Sequence, residues 1–221
     1  MTLTTSRSTP PATASVTVTG VSGTLSHALA TGVTVTPILA STVAVDLSSA
    51  FNVTGIYRDG SKFAPSAGLD HDGSAFSEQQ LGVELVGGGV KFRLGPANAP
   101  DAVTGNTVTL PAGKFAGIKI LAVAVDGNQT LQTFTVNYAD STSSSFTQSL
   151  SDWAVPGNLS GESVASEMPY RLTADGSKDA NGFYTHAYSF ALDSNKVASS
   201  VNLPANANVL VLAVPLVPAT K

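Results

Sequence analysis

The sequence predicts an all-β protein, an antiparallel β-sandwich of jelly-roll-like type. Apolar and polar residues alternate along several segments; in QTFTVNYAD, for example, Phe134, Val136 and Tyr138 fall on one face. Asp-Gly and Gly-Gly pairs stand between such segments, as they do in the turns of β-hairpins. No segment shows a convincing helical period, so strands are expected throughout.

The first 40 residues are predicted to be separate from this sandwich. Residues 1–11 are rich in Ser, Thr and Pro and are predicted to form a flexible leader. Residues 12–40 contain two Val/Thr-rich strands around a Gly-containing loop, a unit too small to bury a core alone. The boundary is expected near residues 37–42, and the sandwich module is assigned to residues 41–221.

Within the module, the strands are predicted in the following order. VELV and VKFRL are expected to pair through the Gly-rich turn of residues 86–90. Residues 116–150 are predicted to form a three-stranded meander whose turns are VDGNQT and ADSTSSS. Its first strand contains KILAVAV (119–125), which is nearly all apolar and therefore predicts a central strand covered on both faces. HAYSFALD is predicted to be a further half-buried strand.

Three long irregular stretches interrupt the strands, at residues 55–77, 95–106 and 152–183. Long loops on a rigid sandwich are where binding residues commonly lie. The candidate functional residues are therefore sought in these loops.

The composition narrows the class of function. Charged residues make up 12% of the 221 residues, and the net charge is −4. Because the sequence has no block of Lys or Arg, we expect no nucleic-acid partner and no binding to anionic membranes. The absence of cysteine excludes disulfides and thiolate metal sites. The most apolar runs are shorter than the ~18 residues that suggest a membrane span, so none is expected.

Six segments, in this order, resemble a known family: VDLSSAFNVTGIYRDG, GLDHDGSAFS, KFRLGPANAPDAV, VNYADSTSSSFTQSLSDW, MPYR and YSFALD. Together they resemble the C-terminal β-sandwich accessory domain of bacterial secreted hydrolases, over residues 43–217. VSGTLSHALATGVTVTP is similar to the end of the Ig-like repeats that precede such modules. The resemblance implies a galactose-binding-like or jelly-roll sandwich and a carbohydrate-binding role. The implied partners are a polysaccharide or glycan and a neighbouring catalytic domain of the same polypeptide.

The N-terminus has no apolar segment of signal-peptide type. The chain is therefore expected to be either cytoplasmic or an excised piece of a longer secreted protein. The resemblance favours the second alternative, an extracellular location as part of a longer precursor.

GLDHDGSAFS (68–77) places His71 between Asp70 and Asp72. In extended backbone the two aspartates share a face, with Cα atoms about 6.6 Å apart, and the histidine points away. The spacing does not fit an EF-hand, because Ala75 and Leu81 stand where Gly and Glu are required. A turn that leads into a strand is favoured. A structural calcium ion on Asp70 and Asp72 is the alternative, and no other cofactor is expected.

No catalytic signature is present. The sequence lacks a GxSxG elbow, an HExxH zinc motif and a phosphate-binding loop. Two of the carboxylates of Asp72, Glu162 and Glu167 could form a glycosidase-like pair, but solvated loop carboxylates are the default interpretation. The chain is therefore predicted not to be an enzyme.

Aromatic residues in the long loops are the candidate sugar contacts, because a ring can stack on the apolar face of a pyranose. Tyr57 and Tyr170 are as compatible with stacking as with packing, and Tyr184 lies at the end of the third loop. Trp153, the only tryptophan, is expected to pack in the core, with ligand stacking as the alternative. Arg171 is expected either to clamp a sugar hydroxyl or to form an ion pair with Asp152 or Glu162.

The predicted function is that of a non-catalytic, carbohydrate-binding-like accessory module of a secreted bacterial hydrolase. Two alternatives stay open. One is a ligand-free structural or spacer domain that packs on a catalytic partner. The other is a small glycoside hydrolase that uses loop carboxylates.

Overall fold

The computed structural model describes residues 12–35 and 39–219. The chain divides into two compact units, Met1–Ala40 and Ser41–Lys221. The predicted leader, residues 1–11, lies outside the described residues.

The first unit contains a long β-hairpin. Strand β1 (Ala12–Ser22) pairs antiparallel with β2 (Leu25–Val35) over eleven residue pairs. Gly23, in the two-residue turn between them, has a φ of +61°, a conformation that glycine adopts without steric cost. The two predicted Val/Thr-rich strands are therefore confirmed.

The second unit is built almost entirely from strands, as predicted. One short α-helix, α1 (Glu78–Leu81), and a 3₁₀ turn (Pro65–Ala67) interrupt them. The strands are β3 (Val43–Ala44), β4 (Ile56–Tyr57), β5 (Ser74–Ser77), β6 (Glu84–Gly87), β7 (Val90–Arg93), β8 (Thr107–Ala124), β9 (Gln129–Tyr138), β10 (Ser143–Leu150), β11 (Glu162–Met168), β12 (Arg171–Thr173), β13 (Lys178–Asp179), β14 (Phe183–Ala191), β15 (Val197–Asn202), β16 (Val209–Ala213) and β17 (Pro215–Pro218).

The long strand β8 joins the two layers of the sandwich. Its N-terminal half pairs with β15, and β15 continues the sheet to β9 and β10. Its C-terminal half pairs with β14 on one edge and with β16 and β17 on the other. Nearly all strand pairs are antiparallel, so the predicted antiparallel sandwich is confirmed.

Alternate residues of β8 enter two separate hydrophobic cores. Ile118 and Ile120 lie in the core between the two layers, with Phe134 of β9. Leu121 and Val123 lie in a second core on the opposite face. The predicted central strand covered on both faces is confirmed, which explains why KILAVAV has no polar alternation.

The predicted three-stranded meander is only partly correct. β9 and β10 pair as expected, but β15 lies between β9 and β8. The C-terminal half of β8 already has a partner on each edge, so it has no free edge for β9. The turn at Asp126 and Gly127, both with positive φ, therefore carries the chain from one layer to the other. The β6–β7 hairpin through Gly88 and Gly89 is confirmed.

Candidate functional site

Two of the stretches predicted to be irregular contain strands: β4 and β5 lie in residues 55–77, and β11, β12 and β13 lie in residues 152–183. Four of these strands form a small sheet that brings the two stretches together. The strand order is β13-β12-β5-β4, and Leu172 of β12 pairs with Ala75 of β5. Residues 55–77 and 152–183 therefore share one surface. Most of the predicted site residues lie on this sheet or next to it.

Arg171 is the centre of one face of this sheet. Its Nη1 donates to Oδ2 of Asp70 at 2.9 Å, and its Nε donates to Oδ2 of Asp179 at 2.8 Å. The guanidinium also lies 5.7 Å from the ring centroid of Trp153 and 5.1 Å from that of Phe183, within cation–π range. The side chains of Arg171 and Asp70 are 19% and 4% exposed, so this pair is far less hydrated than a surface ion pair.

The ion pairs of Arg171 differ from those expected. Asp152 and Glu162 were the predicted partners, but Asp70 and Asp179 take this role. Asp152 instead accepts backbone N–H bonds from Gly127, Ala154 and Val155, at 2.8 to 3.0 Å. A carboxylate that closes such a turn is not free to pair with a guanidinium.

An open depression of about 410 Å³ lies beside Arg171. Its volume is within the usual range of small-molecule sites. Tyr184 lines it and is partly exposed, and its hydroxyl donates to Oε1 of Glu167 at 3.2 Å. The backbone N–H groups of Ala154 and Val155 donate to Asp152, which fixes the turn that forms one wall. The lining residues are Ala154, Val155, Pro156, Arg171, Asp179, Asn181, Gly182, Phe183 and Tyr184.

The charged groups beside this depression are already paired with one another. Arg171 and Asp179 line it, and Arg171 is also paired with Asp70, so these three side chains together carry one negative charge. Asn181 is exposed and can both donate and accept a hydrogen bond. The depression therefore suits an uncharged ligand with several hydroxyl groups better than an anion.

Tyr170 belongs to a second polar cluster near the same sheet. Its hydroxyl donates to Oδ2 of Asp59 at 2.6 Å, and Nζ of Lys178 lies 2.8 Å from the same oxygen. Ser77 also donates to this carboxylate. Burial would raise the pKa of Asp59, but the hydrogen bonds from Lys178, Ser77 and Tyr170 outweigh it and lower the pKa. The Tyr170 hydroxyl is thus used within the fold.

Tyr57 and Trp153 were candidate stacking residues, and the structure places both rings in packed positions. Tyr57 is buried, stacks on Phe63 at 3.9 Å and donates its hydroxyl to the carbonyl of Ala67. Trp153 is 1% exposed and packs edge-on against Phe76. Neither ring offers a face to solvent, so the packing alternative describes both. Of the predicted aromatic residues, Tyr184 is the one that lines the depression.

The segment that contains Asp70 and Asp72 forms the predicted turn into a strand, β5. Asp70 accepts the backbone N–H of Ser74 at 2.7 Å in addition to the Arg171 bond. His71 and Asp72 are exposed. The site does not fit calcium, because the Asp70 carboxylate is occupied by a guanidinium. Across residues 12–35 and 39–219, no group of three or more acidic or histidine side chains could hold a metal ion.

Glu162, a candidate catalytic carboxylate, organises the start of the third long loop. It accepts hydrogen bonds from the backbone and hydroxyl of Ser151, the backbone of Leu159 and the hydroxyl of Tyr188. Burial, followed by the Glu162 charge, raises the pKa of Tyr188. Burial lowers the pKa of His186, which the charge of Glu162 partly offsets. These contacts give Glu162 a structural role.

Asp101 is a residue that sequence reasoning missed. It is fully buried and accepts backbone N–H bonds from Gly55 and Ile56, both at 2.9 Å. Burial raises the pKa of Asp101 to about 7, although the two bonds act in the opposite direction. It holds the start of the first long loop. An Asp within an Ala/Pro-rich stretch gives no signal for this role.

A family model described as the AziU2-like beta-sandwich domain matches residues 41–220. No curated protein shows significant sequence similarity to the chain. Among the described residues, no helix is long and apolar enough to cross a membrane.

Proposed function

The chain belongs to the AziU2-like β-sandwich domains, and we propose that it is a non-catalytic module that binds neutral carbohydrate in the depression beside Arg171. The observation that supports this proposal most strongly is the pairing of an open cavity with a fixed guanidinium and a partly exposed tyrosine. Asp70 and Asp179 hold Arg171 in one position, so little conformational entropy is lost when a ligand binds.

The chemistry of the lining fits a sugar. The ring of Tyr184 can stack on the apolar face of a pyranose, and Asn181 and Asp179 can bond its hydroxyls. Because Arg171 is already paired with both Asp70 and Asp179, a neutral polysaccharide is preferred over a uronic acid polymer. A charged polymer would place its carboxylates close to Asp179 and would gain nothing from an arginine that is already paired.

The wider proposal is that this module belongs to a secreted bacterial hydrolase and serves a catalytic domain of the same polypeptide. Binding to a polysaccharide would raise the local concentration of substrate around that domain without any chemistry in the module. The internal hydrogen bonds of Glu162 and the ion pair of Asp70 support a non-catalytic role, because these carboxylates are committed to the fold.

Affinity electrophoresis and pull-down against a panel of neutral polysaccharides test this function. We expect retention by at least one of them. Asn181→Ala should weaken it about fivefold, since a hydrogen bond to an exposed hydroxyl contributes about 1 kcal/mol. Tyr184→Ala should abolish it, and Tyr184→Phe, which keeps the ring, should retain most of it.

Asn195→Ala is the matched control, because Asn195 is exposed in a different loop. It should bind as the wild type does. Failure of the wild type to bind any polysaccharide, or equal binding by Tyr184→Ala, would contradict the proposal.

A second candidate function is a structural domain that packs on a catalytic partner and binds no ligand. Exposed apolar side chains on neighbouring elements favour it: Val83 and Val86 lie at β6, and Val164 lies on β11, which contacts β6. Such a surface is typical of a docking face. Under this alternative, Val86→Lys would weaken partner docking, and substitutions in the depression would have no effect.

A further inference from the structure

Asn181 and Gly182 form the only Asn-Gly pair of the sequence. In such a pair the backbone nitrogen of the second residue can attack the side-chain carboxamide of the first, which makes asparagine one of the thermolabile residues. Glycine favours the attack because it has no Cβ to screen its own nitrogen and because its backbone is conformationally free. The sequence therefore holds one asparagine at which this reaction is fast, provided that the fold leaves it accessible.

The fold leaves the Asn181 side chain accessible. Asn181 is exposed, lies in a bend just before β14 and lines the open depression beside Arg171. Within the described residues its side chain forms no hydrogen bond, and the neighbouring bond from Arg171 to Asp179 does not include it. The carboxamide can therefore turn towards the backbone of Gly182 without breaking a contact.

The attacking nitrogen is equally free. The backbone N–H of Gly182 donates to no acceptor in the part of the chain that the structure describes, whereas that of Tyr184 donates to the carbonyl of Trp153 at 2.7 Å. Regular pairing begins at Phe183, which stands opposite Met168, so Gly182 lies just outside the sheet. A backbone N–H in this position needs no local opening of the sheet before it loses its proton.

Other asparagines of the second unit lack this combination. Asn128 is held in place, because its side-chain oxygen accepts the backbone N–H of Asp152 at 2.8 Å. Asn195 is exposed, as Asn181 is, but the residue that follows it is Lys196, whose Cβ screens the nitrogen. A following glycine, exposure and a side chain without a hydrogen bond thus coincide at Asn181.

We propose that Asn181 is a site of spontaneous deamidation. The backbone nitrogen of Gly182 gives its proton to solvent and forms a bond to Cγ of Asn181; the Cγ–Nδ2 bond breaks, and the nitrogen takes up a proton and leaves as ammonia. Water then opens the cyclic succinimide that has formed. Cleavage of the new bond to Cγ gives aspartate, and cleavage of the bond to the backbone carbonyl carbon gives isoaspartate. One water is consumed for each ammonia released, and nothing is oxidised or reduced.

The reaction alters the surface of the depression. Arg171, Asp70 and Asp179 together carry one negative charge, and a carboxylate at Asn181 adds another. A carboxylate accepts hydrogen bonds but has none of the N–H donors of the amide. Isoaspartate also lengthens the main chain by a methylene group shortly before Tyr184, which lines the depression. The original and the aged forms of the chain therefore differ at this surface, whatever ligand it holds.

Peptide mapping of the full chain tests the proposal. The folded protein is kept in warm, mildly alkaline buffer, and trypsin then cleaves after Lys178 and Lys196, so that Asn181 and Asn195 fall in the same peptide. Fragment masses should show gradual loss of the Asn181 amide, with a mixture of aspartate and isoaspartate as product, while Asn195 stays intact. A synthetic peptide of residues 178–187 should convert at a similar rate, because the fold offers Asn181 no protection.

Gly182→Ala should stop the conversion over the same period. A Cβ at this position would lie 2.8 Å from Oη of Tyr184, so Gly182→Ala/Tyr184→Phe, which removes that oxygen, is the second variant and should also keep Asn181 intact. Any of four results would overturn the proposal: Asn181 intact in the folded chain while the peptide converts, equal conversion of Asn195, aspartate without isoaspartate, or unchanged conversion in both Gly182 variants.

Discussion

Replacing Arg171 with methionine should destabilise the sandwich through loss of the contacts that join its two long loops. The change removes both charge-assisted hydrogen bonds and leaves Asp70, whose side chain is 4% exposed, without its counterion. It also removes the guanidinium from the rings of Trp153 and Phe183. Because methionine keeps much of the side-chain volume, the loss of stability is mainly electrostatic.

The magnitude follows from the burial of the pair. Hydrogen bonds to charged groups contribute about 1.5–3 kcal/mol each, and an exposed cation–π contact about 0.5–1 kcal/mol. Removing one partner of a buried pair costs about 3–5 kcal/mol. Because Arg171 is 19% exposed and some relaxation follows, we expect the free energy of unfolding to fall by about 3 kcal/mol.

Urea unfolding followed by tryptophan fluorescence measures this change. Trp153 is the only tryptophan, is 1% exposed and lies against Arg171, so it reports on the affected region. Arg58→Met is the matched control: the Arg58 side chain is 69% exposed in its pair with Glu78, and the loss should stay below about 1 kcal/mol.

A double-mutant cycle tests whether the pair itself is responsible. Asp70→Asn combined with Arg171→Met should cost much less than the sum of the single substitutions, because the neutral amide no longer needs a counterion. If Arg171→Met costs less than about 1 kcal/mol, or if the two changes are simply additive, the reasoning about this cluster is refuted.

Three further predictions concern other parts of the second unit. Burial raises the pKa of Asp101 from 3.8 to about 7, so between these pH values the folded state binds a proton that the unfolded state releases. The free energy of unfolding of the wild type should therefore rise by on the order of 2 kcal/mol as the pH falls from 8 to 5. Urea titrations should show no such rise in Asp101→Asn. Gly73 has a φ of +71°, and a Cβ added there would lie 2.7 Å from the backbone of Pro65. Gly60 has a similar φ, but a Cβ added there would meet no atom within 4 Å. Gly73→Ala should therefore lower the melting temperature more than Gly60→Ala does. Tyr170→Phe should cost about 1 kcal/mol of unfolding free energy in denaturant titrations, through the lost bond to the Asp59 carboxylate, and a change near zero would contradict the bond.

The fold was predictable wherever the signal was local. The alternation in β9 and the Gly-Gly turn between β6 and β7 depend on neighbouring residues alone, and both predictions were correct. The double burial of β8 was predictable from its unbroken apolar run. The position of β15 between β8 and β9 was not predictable, because no turn sequence signals the pairing of strands that are far apart in the chain.

Of the seven residues that the sequence predicts as ligand contacts, two, Arg171 and Tyr184, line the depression. The burial of Tyr57 and Trp153 depends on contacts between distant segments, which the sequence does not encode locally. The choice of Asp70 rather than Glu162 as the partner of Arg171 depends on how β12 pairs with β5, which the sequence does not encode locally. Asp101 was missed for the same reason, since its two donors lie more than forty residues away.

Two-dimensional NMR of the labelled full chain, titrated with neutral oligosaccharides, maps any ligand directly onto the fold. If the chain binds carbohydrate beside Arg171, backbone shifts will concentrate at residues 154–156 and 179–184 and will saturate with the concentration of one sugar. If no neutral sugar shifts those amides, or if the shifts lie elsewhere on the sandwich, the depression is not a carbohydrate site.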